Sequence, residues 1–288
     1  MNVDCIVKLG GSAVTVKDRL ETEKLEEIRG FAECLKQQGT DGGSGRGGRC
    51  ILVHGAGSFG HFQAKEYGVS QGYHGNRDDA QIDKVKTGFC KTRVSVTKLN
   101  HIIVDELVGQ GVNAIGISPC GGWVTDDGRV VKSDTSTIQN LLADGYQPVL
   151  HGDCVLDKRR GCTILSGDTI IQTLCSVFQP KRVIFLADVC GVYDKPPSNP
   201  DAQLVPVVTV TQNGQLSVPI ATAQQEHDVT GGILKKLMTA ASIVTGSNGE
   251  TTVFICQINT MAACNVFMHG ELLGESGTVI KLKSREDE

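Results

Sequence analysis

Short apolar runs that stop abruptly at glycine recur along this chain, and they restrict its fold more than any other feature. Cys50-Ile51-Leu52-Val53 empties into His54-Gly55-Ala56-Gly57-Ser58-Phe59-Gly60-His61. An apolar run of that length bounded by a glycine turn is a buried strand. Residues 3–9 run into Gly10-Gly11-Ser12, the run ending at Leu165 meets Ser166-Gly167-Asp168, and residues 182–187 meet Asp188-Val189-Cys190-Gly191. Helical patterns lie between these runs. The alternation predicts an α/β fold, a three-layer αβα sandwich with a largely parallel central sheet. Glycine turns at the strand ends then gather along one edge of the sheet, where such folds bind ligands.

Among the helical stretches, residues 21–38 place Leu25, Ile28, Ala32 and Leu35 on one face, and residues 78–108 form a long helix with Val85, Phe89, Ile103 and Leu107 on its apolar side. The first half of that long helix, around Phe89, is a candidate wall for an apolar ligand, or else core. Residues 39–48, nearly all glycine and polar, read as a flexible surface loop without function. No linker divides the chain. Residues 1–288 are expected to form one unit, with an N-terminal lobe of about 1–165 and a C-terminal lobe of about 166–288.

Composition closes off several functions. A net charge of −4 with a pI near 6.0 gives no basic surface for nucleic acid or an anionic membrane. The 11 cysteines are odd in number, show no Cys-x-x-Cys pair and fall mostly in apolar strands. They read as reduced core thiols of a soluble, cytoplasmic protein.

The glycine loop at 55–60 offers backbone N–H groups to an anion, phosphate above all. Its Gly55-x-Gly57-x-x-Gly60 spacing also satisfies the dinucleotide fingerprint, which requires an acid at the end of the next strand. Asp78 and Asp79 stand at about the right distance, but within a helical stretch, and the dinucleotide reading is rejected. Lys8 lies at the mouth of the first strand, either as an ammonium aimed at a bound phosphate or as a snorkelling edge lysine. Asp168 begins a helix, either as a plain N-cap or as a pocket carboxylate. A further glycine pair, Gly231-Gly232, opens a helix carrying Lys235 and Lys236.

Taken in order, Lys8-Leu9-Gly10-Gly11-Ser12, the His54 to His61 loop, Leu165-Ser166-Gly167-Asp168, Asp188-Val189-Cys190-Gly191-Val192-Tyr193 and Asp228-Val229-Thr230-Gly231-Gly232-x-x-x-Lys236 resemble the amino acid kinase family. Within it the loop ending in His61 is most similar to the isopentenyl phosphate kinases. The resemblance covers nearly the whole chain. It departs at Ala56, where many relatives have glycine, at Cys190, where aspartate is common, and at the longer loop 39–48. It implies ATP- and Mg²⁺-dependent phosphorylation of isopentenyl phosphate in isoprenoid biosynthesis by a homodimer. It further implies catalytic roles for Lys8, Lys17, His61, Asp168 and Lys236. ATP would lie against Lys8, Gly10, Gly11, Ser12, Gly57, Asp188, Gly191, Val192, Tyr193, Gly231, Gly232 and Lys236, and the acceptor against Ala56, Gly57, His61 and Gly167. No metal-ligand set from the protein is expected. Rival readings are a sister kinase for a phosphonate or carboxylate acceptor, and a non-catalytic nucleotide-binding regulator.

Overall fold

The computed structural model describes residues 3–41, 49–75, 77–195, 197–218, 232–272 and 276–283. Its first half runs β1 (Cys5–Leu9), α1 (Gly11–Val14), α2 (Leu25–Asp41), β2 (Cys50–His54), α3 (His61–Glu66), α4 (Asp79–Gly109), β3 (Ala114–Ile117), β4 (Val124–Asp126), β5 (Arg129–Lys132), α5 (Ser136–Ala143) and β6 (Gln147–His151). The second half runs β7 (Asp153–Asp157), β8 (Gly161–Leu165), α6 (Gly167–Phe178), β9 (Arg182–Ala187), β10 (Val207–Val210), α7 (Gly232–Gly246), β11 (Thr252–Gln257), α8 (Met261–His269) and β12 (Thr278–Leu282).

Eight strands form one sheet in the order β10-β12-β11-β9-β1-β2-β6-β3, parallel except where β11 meets β12. The central strands are apolar on both faces because both faces are covered. Ile6, Val53, Leu150 and Phe185 point to a layer of α5, α6 and α7, with Ile138, Leu174 and Leu237 among their neighbours. Val7, Leu52 and Val149 point the other way, to α2, α4 and α8, meeting Ile28, Leu99 and Val266. This is the expected αβα sandwich. Side chains alternate along a strand, so Lys8 follows Ile6 onto the α6 side, while His54 follows Leu52 onto the α4 side. Parallel pairing sets Leu9 beside His54 and His54 beside His151, which aligns the exits of β1, β2 and β6 along one edge.

Beside this sheet β5-β4-β7-β8 make a smaller one from two hairpins. One carboxylate ties their tips together. Asp157 Oδ1 accepts N–H bonds from Asp127, Arg159 and Arg160 at 3.2, 2.9 and 2.8 Å, and Oδ2 accepts from Gly128 N–H at 2.8 Å and the Thr125 hydroxyl at 2.7 Å. Burial pushes the Asp157 carboxyl up, but these donors outweigh it and hold the group well below the usual carboxylate range.

Three sequence expectations need correction. Helix α2 begins at Leu25 rather than residue 21, because Glu21 has φ 47° and residues 15 and 23 pair as a β-bridge. It also runs on to Asp41, so only residues 42–48 of the expected loop remain, and these lie outside the described residues. Strand β10 was not anticipated. Among the described residues no helix is long and apolar enough to cross a membrane.

Candidate active site

The strand exits converge on a cavity of about 770 Å³. Its floor is made where two glycine turns touch. A Cβ on Gly11 would lie 2.6 Å from Gly57 N, and one on Gly57, at φ +50°, would lie 2.1 Å from Thr15 Oγ1. Only glycine permits so close an approach. Thr15 locks the junction, its hydroxyl donating to Gly11 O at 2.7 Å and accepting from Ser58 N–H at 3.0 Å. Gly152 and Gly167 lie alongside, with a Cβ built on Gly152 falling 3.5 Å from Gly167 N and 3.8 Å from Ala56 N. Among the described residues the N–H groups of Gly11, Ala56, Gly57 and Gly167 find no protein acceptor. Backbone donors crowded this way form an anion cradle.

Lys8 stands in this cradle. Its ammonium bonds Asp168 Oδ1 at 2.5 Å and lies 5.6 Å from the Phe185 ring centroid. Burial lowers its pKa, Asp168 opposes that shift, and the charges of Lys236 and Lys235 reinforce it. A desolvated ammonium with one carboxylate partner and two cations nearby gains strongly when a polyanion arrives. Asp168 is not the helix cap. Ser166 caps α6, its hydroxyl accepting from Thr169 N–H at 3.2 Å, which frees Asp168 in the first turn to meet Lys8. The second oxygen of Asp168 faces Lys235 Nζ at 3.9 Å. Lys236, expected on the ATP phosphates, lines the cavity from the same helix.

Most expected site residues meet in this cavity. Lys8, Ser12, Lys17, Ala56, Gly57, His61, Gly167, Asp168, Asp188, Gly191, Val192, Tyr193 and Lys236 all line it, while Gly10 caps α1 beside it. Gly231 lies outside the described residues, and Gly232 opens α7. Phe89 does not line it. It packs in a small cluster with Val69, Val85 and Cys162, and the apolar wall is Ala64, Val96 and Ile164 instead. Unforeseen lining residues include Thr15, Asp153 and Lys195. Of the acids of the rejected dinucleotide fingerprint, Asp78 caps α4 by accepting from Gln81 N–H at 2.8 Å, and Asp79 lies in the first turn of that helix.

His61 opens α3, and its Nδ1 lies 2.8 Å from Gly57 O. A carbonyl only accepts, so Nδ1 carries the proton and Nε2 donates only when the ring is an imidazolium.

Comparison with known proteins follows the same lines. The amino acid kinase family matches residues 5–257. An isopentenyl phosphate kinase of Arabidopsis thaliana is 38% identical over 285 residues, covering 84% of each chain. One from Methanothermobacter thermautotrophicus is 34% identical over 236 residues, covering 81% of this chain and 84% of the relative. Among solved structures, an isopentenyl phosphate kinase superposes with a TM-score of 0.77 at 28% identity, over 96% of this chain and 99% of the other.

Proposed function

The chain belongs to the amino acid kinase family, and from that premise we propose that it transfers the γ-phosphoryl group of ATP to isopentenyl phosphate, giving isopentenyl diphosphate. The observation that carries this reading is the Lys8–Asp168 pair, buried in a cradle of backbone N–H groups beside an apolar wall. An acceptor that is already a phosphate needs no general base, so the protein's work is to position two anions and neutralise them. Lys8 stands between donor and acceptor phosphates. Lys236 holds the ATP phosphates, and Lys17 stabilises charge on the ATP side. Asp168 holds the lysines by charge-assisted bonds. The N–H groups of Gly11, Ala56 and Gly57 receive the transferring group with Ser12 beside them, whereas Gly10, expected to join them, donates its N–H to Leu186 O at 2.8 Å and only shapes the turn. Asp188, Gly191, Val192 and Tyr193, with Gly231 and Gly232, border the nucleoside, and Gly167 borders the acceptor.

Magnesium would bind on the ATP phosphates and neutralise their charge. Asp168 faces Lys8 and Lys235, and among the described residues no group of three or more His, Cys, Asp or Glu could hold a metal ion, so the ion would be held by the phosphate oxygens, with Asp188 the other carboxylate lining the cavity. The reading includes an N-terminal acceptor lobe and a C-terminal nucleotide lobe, a cytoplasmic location and a homodimer.

An ADP-release assay with isopentenyl phosphate, dimethylallyl phosphate and fosfomycin tests the assignment. Turnover of the isoprenoid monophosphates and not the phosphonate is expected, and no turnover with any acceptor would leave a nucleotide binder. His61 supplies the sharper test. In the imidazolium form its Nε2–H would donate to a non-bridging oxygen of the acceptor phosphate, while Nδ1–H stays on Gly57 O. His61→Ala should lower kcat/KM for isopentenyl phosphate by about 10- to 100-fold with the KM for ATP nearly unchanged, and His61→Gln should recover part of the loss. A defect confined to ATP would remove His61 from the acceptor site.

A further inference from the structure

Two histidines outside the cavity lining are buried beneath the phosphate loop. His54 ends β2 and His151 ends β6, and both are within 1% of fully buried. They stack with ring centroids 5.6 Å apart and an interplanar angle of 24°. Each places Nδ1 on the carbonyl of the glycine that follows it, His54 on Gly55 O at 3.0 Å and His151 on Gly152 O at 3.1 Å.

The protonation of His54 follows from its neighbours. Asn100, from α4, lies with its side-chain nitrogen 3.2 Å from Val149 O and 3.1 Å from His54 Nε2. A carbonyl only accepts, so the group facing Val149 is the amide NH₂. The same NH₂ donates to Nε2, which must therefore hold a lone pair. The ring proton sits on Nδ1 and is donated to Gly55 O. Across a trans peptide the N–H points opposite to the C=O. Gly55 O is drawn to the α4 side, so Ala56 N–H faces the other side, where Lys8 and Gly167 lie.

We propose that His54 is a positioning residue for phosphoryl transfer: its Nδ1–H latches the Gly55 carbonyl, with Asn100 selecting the tautomer, and thereby aims Ala56 N–H at the transferring group. This rests on the phosphoryl-transfer reading of the cradle. The stack with His151 keeps both latches in register, so the turns leaving β2 and β6 are held by the same device. The geometry assigns a use to two buried imidazoles that touch no substrate.

The test combines a spectrum with two variants of the full chain. A long-range ¹H–¹⁵N spectrum of the wild type should show His54 protonated at Nδ1 and bare at Nε2. His54→Phe keeps the ring and loses the donor, and should lower kcat by about 10- to 100-fold with both KM values little changed. His54→Asn, whose side-chain nitrogen takes the place of Nδ1, should run at least about 5-fold faster than His54→Phe. A purely structural histidine would instead lower the melting temperature of both variants and leave the kcat of folded enzyme intact. Wild-type kcat in His54→Phe, equal rates in the two variants, or a bare Nδ1 would each overturn the latch. If the wild type fails to turn over isopentenyl phosphate, the acceptor assignment falls, and the tautomer in the spectrum decides the latch by itself.

Discussion

The cavity floor and the hairpin pair beside it each bury a carboxylate, and they treat it in opposite ways. Asp157 receives four backbone N–H groups and a hydroxyl, all within 3.2 Å. Asp168 receives one lysine at 2.5 Å and a second only at 3.9 Å. The first charge is dispersed into fixed dipoles and asks for nothing more. The second is matched to cations that are themselves desolvated, an arrangement of small net stability. A protein keeps such a pair where the cations have another anion to meet. Saturation by backbone marks a structural acid, and dependence on lysine ammoniums marks a functional one.

The contrast is sharpened most by changing Lys8. Lys8→Ala should cost about 3–4 kcal/mol of transition-state stabilisation, a loss of some 100- to 1,000-fold in kcat/KM, with the fold retained. Asp168→Asn and Lys236→Ala should act in the same direction, and near wild-type turnover in these variants would show that the charges are structural. Asp157→Ala should do the reverse, losing about 2–4 kcal/mol in urea unfolding while folded enzyme keeps its kcat. Reduced turnover without reduced stability would break the distinction.

Acid gives a smaller effect of known sign. Burial, with the neighbouring His151, pushes His54 down to about 3. Between that value and the ordinary histidine value of about 6.5, the unfolded chain takes up a proton that the folded chain refuses. Stability should therefore be complete above that range and fall with decreasing pH by about 1.4 kcal/mol per pH unit from this residue. Asp157, held low, adds its own loss only below about pH 4. His54→Asn should flatten the upper part of the curve, and an unchanged slope would remove His54 as its source. The smallest effect is expected from deleting residues 42–48, where loop closure changes by roughly 0.5 kcal/mol or less. Melting temperature and turnover should barely move.

What could be read from the sequence was what each strand exit announces locally. Lys8 and the glycine turns stand next to one another in the chain, and period-two alternation puts Lys8 on the face where α6 packs. What the sequence leaves open concerns helical phase and long-range partners. Lys235 and Lys236 are neighbours about 100° apart around α7, and only packing decides which reaches Asp168. Phe89 and Val96 lie on the same long helix, and its docking angle gives the cavity wall to Val96. Asn100 is 46 residues from His54, so no local pattern could pair them. β10 is four residues long, follows Pro206 and, among the described residues, joins the sheet by pairing with β12.

The contact between Gly11 and Gly57 also bears on how sequences of this kind can be recombined. Each turn occupies the space that a side chain on the other would fill, with Thr15 bridging the two. A chimera that takes one turn from a relative and the other from this chain joins surfaces that were never fitted together, even if every residue is individually acceptable. Residues 8–15 and 54–61 therefore behave as a single heritable cassette split across the chain, and crossover points for shuffling belong outside both segments.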